Sequence, residues 1–172
     1  MDEIGKQSGK YSTFSKYAPH AVAIISSLVF LDSLRFKFTN APETQVIFSK
    51  LDGWAGTLGA DGLFAQTGLF SQYVIGSAEL IASTLLVIGI LARFRRLQTL
   101  GFLIAFAVMS GAVSFHTLTP LGIDPNDDGG GLFFMACFIW LTSAIMLFIR
   151  RRDLLAIKNG LLGTFVPPAT QS

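Results

Sequence analysis

Apart from His20, which opens the first apolar stretch, five ionisable residues stand inside or at the ends of apolar stretches: Asp32, Arg35, Lys37, Glu79 and His116. Glu79 has no basic neighbour in sequence to neutralise it. A carboxyl removed from water without a cation can take part in proton transfer. His116 could donate a proton near neutral pH or contact a polar head group. Arg35 presents a planar fork of N–H donors suited to an anionic or carbonyl group. Asp32 and Arg35 lie three apart and share a helix face, so either could reach Glu79. A structural reading of the same residues is an ion pair that joins two helices. His116, followed by Thr117-Leu118-Thr119-Pro120, could equally cap a helix end.

The elements that carry these residues are membrane-like. Hydrophobic residues make up 51% of the 172 and charged residues 14%, against about 25% charged in soluble domains. A bilayer core takes about 20 mostly apolar residues per helix. Four stretches qualify: 20–38, 72–92, 97–115 and 132–149. None contains a proline, so backbone hydrogen bonds can close within each helix. The expected fold is an all-α membrane protein: an antiparallel bundle of four transmembrane helices spanning 20–150. Polar tails over 1–19 and 151–172 flank it. Residues 1–19 do not read as a cleaved signal peptide.

Orientation follows from lysine and arginine. The N-terminal tail, the 93–96 turn and the C-terminal segment from Arg150 onward hold ten: Lys6, Lys10, Lys16, Arg93, Arg95, Arg96, Arg150, Arg151, Arg152 and Lys158. The loops 39–71 and 116–131 hold Lys50 alone. Both termini are therefore expected in the cytoplasm. Asp32 then lies roughly 9 Å from the outer end of the first helix, and Glu79 about 10–12 Å below the outer start of the second. All five ionisable groups fall in the outer half of the bilayer, where one costs about 2.5–3.5 kcal/mol at a helix centre. The expectation is an outward-facing polar pocket of Asp32, Arg35, Lys37, Glu79 and His116. Ser77, Ser83 and Thr84 could add hydrogen bonds, while Lys37 could instead snorkel to the headgroups.

In the outer loop, Ile47, Leu51, Trp54 and Leu58 recur at helical spacing. They predict a short amphipathic helix at the interface or a lid on the bundle. The glycines that follow, from Gly53 to Gly68, predict a pliant remainder. Small residues in the third helix (Gly101 and Ala105, Ala107 and Gly111, Ser110 and Ser114) favour close packing within the bundle, or against another subunit. The acidic run Asp124-Pro-Asn-Asp-Asp128 reads as a solvated loop. Calcium is conceivable there, but the spacing is not that of an EF-hand.

Other chemistries find no footing. Cys137 is the single cysteine, so no internal disulfide or CxxC site exists, and it reads as a packing residue. His20 and His116 lie at opposite membrane faces, which disfavours a haem between them. No metal-binding cluster and no intrinsic cofactor motif stand in the sequence, and no basic stripe supports nucleic-acid binding.

The runs Leu28-Val-Phe-Leu-Asp-Ser-Leu-Arg-Phe-Lys-Phe38 and Val74-Ile-Gly-Ser-Ala-Glu-Leu-Ile-Ala-Ser-Thr-Leu-Leu-Val-Ile-Gly-Ile-Leu-Ala-Arg93, with His116 ending the third helix, resemble the DoxX-like superfamily. That superfamily includes the DoxD-type subunit of thiosulfate:quinone oxidoreductase and the YkgB-like bacterial inner-membrane proteins. Leu31-Asp32-Ser33 stands where the family's first-helix motif is usually glycine-rich. The resemblance covers about residues 20–150. It implies a bacterial inner-membrane component of a redox or respiratory system, with Arg35 or Lys37 and Glu79 as polar positions and quinone as a possible ligand. Glu79 and His116 would handle protons. The alternative is a non-catalytic accessory or assembly subunit, packed against other membrane subunits or its own copies in the surrounding lipid. A small transporter is a weaker third reading, since four helices show no visible repeat.

Overall fold

A computed structural model describes residues 2–165, with side chains from 17 onward except Ala92 and those beyond Gly160. Helices α1 (Asp2–Phe38), α2 (Pro42–Thr57), α3 (Gln72–Ile88), α4 (Arg95–Leu118), α5 (Gly131–Ile149) and α6 (Arg151–Phe165) follow in order. A 3-10 turn over Ala92–Phe94 joins α3 to α4. No strand occurs among the described residues. The chain is all-helical, as composition and periodicity imply.

Two helices, α4 and α5, are long and apolar enough to cross a membrane. The apolar helix α3 is shorter, at 17 residues. The 37-residue α1 carries Asp32, Arg35 and Lys37 in its last two turns. It also begins far earlier than the expected boundary. Its helix runs from Asp2 through Pro19, so the segment 1–19 is helical over most of its length. Likewise 151–165, expected as tail, forms α6.

Antiparallel packing is legible residue by residue. Lys37 meets Glu79 and Ser27 meets Ser83, so α1 and α3 run oppositely. Gly101 lies against Leu86, and Gly89 against Gln98, across α3 and α4. A Cβ on Gly89 would stand 2.3 Å from the Gln98 Cβ, so this close approach requires glycine. Ser110 bonds Trp140 across α4 and α5. Apolar layers then stack along the bundle. One layer contains Ala23, Leu86, Phe102 and Met146. The next contains Phe30, Ala82, Ala105, Met109, Ala136 and Ile139. Of the small residues in α4, Gly101 and Ala105 pack inside the bundle.

The loop between α1 and α3 closes the end where α2 lies. Leu51 and Ala55 of α2 join Phe64 and Leu121, with Ile47, Trp54 and Phe115 against them. The apolar face therefore covers the bundle end as a lid; Leu58 falls past the helix and stays exposed. The glycine-rich remainder turns back on itself, with one close approach at Gly68. A Cβ on Gly68 would lie 2.2 Å from the Gly62 carbonyl oxygen. The Phe70 amide donates to the Leu63 carbonyl, and Asp52 accepts from the Phe64 amide at 2.9 Å.

Candidate functional site: a buried ion pair beneath an amide cluster

Each α-helical residue turns the chain by about 100°. From Ser33 to Lys37 the rotation is nearly a full turn, so both face α3. Asp32 and Arg35 point elsewhere. This angular arithmetic separates the five expected residues into three places.

The first place is the seam between α1 and α3. Lys37 Nζ donates to both Glu79 carboxylate oxygens, at 3.1 and 3.0 Å, and to Ser33 Oγ. The Glu79 side chain is 3% exposed and that of Lys37 15%. Glu79 is thus neutralised by Lys37 and not by Arg35, Asp32 does not reach it, and Lys37 turns inward instead of snorkelling. Gly76, one turn above Glu79, faces the lysine stem, with Lys37 Cδ 3.5 Å from where its Cβ would stand. Of the hydroxyls, Ser83 donates to the Glu79 backbone carbonyl at 2.8 Å and Thr84 to that of Leu80. Ser77 is exposed.

Above this pair lies an amide cluster that charge-based sequence reading passed over. Gln72 opens α3, seven residues before Glu79 and on the same face. Its Nε2 donates to the Lys37 carbonyl at 2.8 Å and to Asn40 Oδ1 at 3.0 Å. Asn40 Oδ1 also accepts from Gln45 and Gln66. Asn40 adopts φ +59°, a left-handed conformation that asparagine tolerates better than most residues. Gln72 is almost fully buried. A recess of about 80 Å³ opens beside it, lined by Gln45, Ser49, Asp52, Phe64, Gln66 and Gln72 among others. That volume holds a few waters; it is below the roughly 300–1,000 Å³ of a ligand pocket. A larger apolar groove, about 260 Å³, runs along Leu31, Ser83, Thr84, Val87 and Ile88 beside the same seam.

The second place is the exposed face of α1. Arg35 Nε meets Asp32 Oδ1 at 3.0 Å, with side chains 68% and 62% exposed. The third is the last turn of α4, facing the loop that follows. His116 is buried against Phe133, and its Nδ1 lies 2.6 Å from the Gly122 carbonyl oxygen. That contact makes Nδ1 the donor and leaves Nε2 the acceptor in the neutral ring. No hydrogen bond or ion pair joins His116 to Glu79, Lys37, Asp32 or Arg35 among the described residues. The single outward pocket expected from depth is therefore divided, because depth ignores which way each side chain faces.

Asp124 and Asp128 serve the backbone. Asp128 accepts from the amides of Gly130, Gly131 and Leu132 at the start of α5, and Asp124 accepts from the Asp128 amide. Slight burial opposes ionisation of Asp128, but these amides, led by Leu132, hold its carboxyl below the usual range. Among the described residues no group of three or more His, Cys, Asp or Glu side chains could hold a metal ion. At the opposite end, Gln98 and Arg150 are buried, with the Gln98 amide nitrogen 3.4 Å from His20 Nδ1 and 3.3 Å from the Leu86 carbonyl. Comparison with family models, with curated proteins and with solved structures finds no match for this chain.

Proposed function

We propose that this chain is a four-span membrane protein, with both termini in the cytoplasm of a bacterium, and that the Lys37–Glu79 seam is its working site. The reading continues the DoxX-like resemblance: a small component of a membrane redox system that receives the polar head of a quinone. The observation that carries it is the near-complete burial of Glu79 with Lys37, one hydrogen bond from an amide-lined recess. Lys37 supplies an ammonium to polarise a carbonyl oxygen, and Glu79 is the group to give or take the accompanying proton. The groove along Leu31, Val87 and Ile88 offers an apolar path for the tail. No redox group belongs to the chain in this reading, so electrons pass between the quinone and a partner protein. His116, held apart at the end of α4, contributes to proton handling only through groups between it and the seam.

Membrane embedding is supported by the low burial of the apolar helices. Only 33% and 22% of the apolar windows of α4 and α5 are buried inside the protein. Phe134, Phe138, Leu141, Ile145 and Phe148 form an exposed stripe on α5, a surface that suits lipid. The basic residues of the 93–96 turn, Arg150 and α6 gather at one end, as the cytoplasmic side of a membrane protein does.

The test is quinone retention by protein purified gently from its native membrane. The wild type is expected to carry quinone near one per chain, and Glu79→Gln and Lys37→Met to lose it. Equal retention in all three would remove the seam from consideration. A second reading, a non-catalytic accessory subunit, is favoured by the exposed Asp32–Arg35 pair, which asks for a protein neighbour. Quinone-free protein in a stable complex would support it.

A further inference from the structure

We infer that the exposed face of α1 is the contact surface for a second copy of this chain, locked by Asp32 and Arg35. The inference rests on the reading of α1 as a membrane span. Between residues 21 and 38, α1 has two distinct sides. Ala23, Phe30 and Leu34 are buried in the bundle. Ile24, Leu28, Leu31 and Arg35 recur at steps of three and four along the other side, with Ile25 and Asp32 beside them, and all six are exposed. A stripe at this spacing has the geometry of a helix-pair seam, and unlike the wholly apolar stripe of α5 this one carries a charged pair.

The ion pair in that stripe is only partly satisfied. One guanidinium N–H reaches one carboxylate oxygen, at 3.0 Å. The guanidinium also lies over the Phe36 ring, 4.6 Å from its centroid. An arginine has five N–H donors and a carboxylate two oxygens, so both partners retain capacity. Asp32 lies roughly 9 Å below the end of α1. Arginine can snorkel from that depth, whereas the short aspartate cannot. Charges at such a depth normally face protein or water, yet on a single chain this one faces outward.

The chemistry of the patch selects its occupant. It is neutral overall and contains its own complement, Asp32 one turn below Arg35. A lipid phosphate would match only the arginine. A two-fold axis along the bundle sets two α1 helices side by side and parallel. Asp32 of each copy then meets Arg35 of the other, in a ring of alternating charge. The same patch serves both copies, as a two-fold contact requires. Polar residues within an apolar seam fix register and copy number, and Leu28 and Ile24 continue the contact toward the α6 end.

The experiment uses native membranes and a Cys137→Ala background. Leu28→Cys is expected to form an oxidised dimer at least tenfold more efficiently than Phe138→Cys, on the exposed face of α5. Adding Asp32→Lys or Arg35→Asp to Leu28→Cys, each expressed alone, should lower that yield about tenfold. Co-expressing the two, differently tagged, should restore it in the mixed dimer, which also shows that both variants fold. A Leu28→Cys yield no higher than that of Phe138→Cys, or no recovery in the mixture, overturns the inference. A membrane-impermeant maleimide separates the two failures. Ready labelling of the cysteine at position 28 overturns the span reading and this inference with it. An unlabelled, uncross-linked cysteine overturns the dimer alone.

Discussion

Lys37–Glu79 and Asp32–Arg35 are ion pairs that both draw on α1, with the same 3.0 Å separation, in opposite surroundings. The first joins α1 to α3 and is almost closed to solvent. The second joins two residues of one turn and is largely open. A buried pair gives up hydration and depends on its partner for compensation, so removing one member strands the other. An exposed pair keeps outside partners and contributes little to the fold of one chain. Equal distances therefore conceal unequal energetics: the seam pair ties two helices together in a buried place, while the surface pair stays open to whatever surrounds the chain.

The comparison can be broken most easily at Glu79. Glu79→Leu leaves the Lys37 ammonium buried without its carboxylate and should destabilise the chain by about 3–5 kcal/mol, read from unfolding in a mild detergent. The double variant Lys37→Met with Glu79→Met should recover most of that loss, since an apolar pair of similar volume is often neutral. No recovery would mean that the seam needs charge for folding. Gln72→Ala comes next. It leaves the Lys37 carbonyl without the amide that caps it and should cost about 1–3 kcal/mol. A smaller effect would detach the amide cluster from the seam pair.

Asp128 lies between the two extremes: exposed, yet bonded to three amides. Asp128→Ala should cost about 1 kcal/mol, as loss of a helix-start cap does. Its carboxyl is held lower in the folded chain than in the unfolded one. Its contribution is therefore complete above the unfolded carboxylate value and fades as pH falls through the folded one. A pH series on wild type and Asp128→Ala should converge in acid; curves that stay parallel would remove the carboxylate from this role. The smallest effect is expected from Asp32→Asn, below about 1 kcal/mol on the fold of a single chain, measured at dilutions where copies separate. A loss as large as that at Glu79 would erase the distinction between the pairs.

The helices carrying these groups were largely legible. Apolar runs placed α3, α4 and α5 within a few residues of their ends, apart from the close of α3 at Ile88. The spacing of Ile47, Leu51 and Trp54 placed α2 and its buried face. The site was legible only in part. Glu79 and its nearness to the first helix followed from charge and depth. Its true partner did not, although the four-residue step from Ser33 to Lys37 and the seven-residue step from Gln72 to Glu79 were present as signals. Uncharged Asn40, Gln45, Gln66 and Gln72 offered nothing to a search for ionisable groups.

The sequence by itself determined the all-helical class, the apolar segments, and the gathering of basic residues toward one end and acidic loops toward the other. These follow from composition and from a 3.6-residue period, both local properties. Only the tertiary structure decided that Lys37 faces α3 while Arg35 faces outward, that His116 at the end of α4 turns to the following loop and away from the seam, and that the glycine-rich segment folds back beneath α2. Those outcomes depend on how each helix is rotated about its axis and on which helix lies beside it. Packing of the whole bundle sets both.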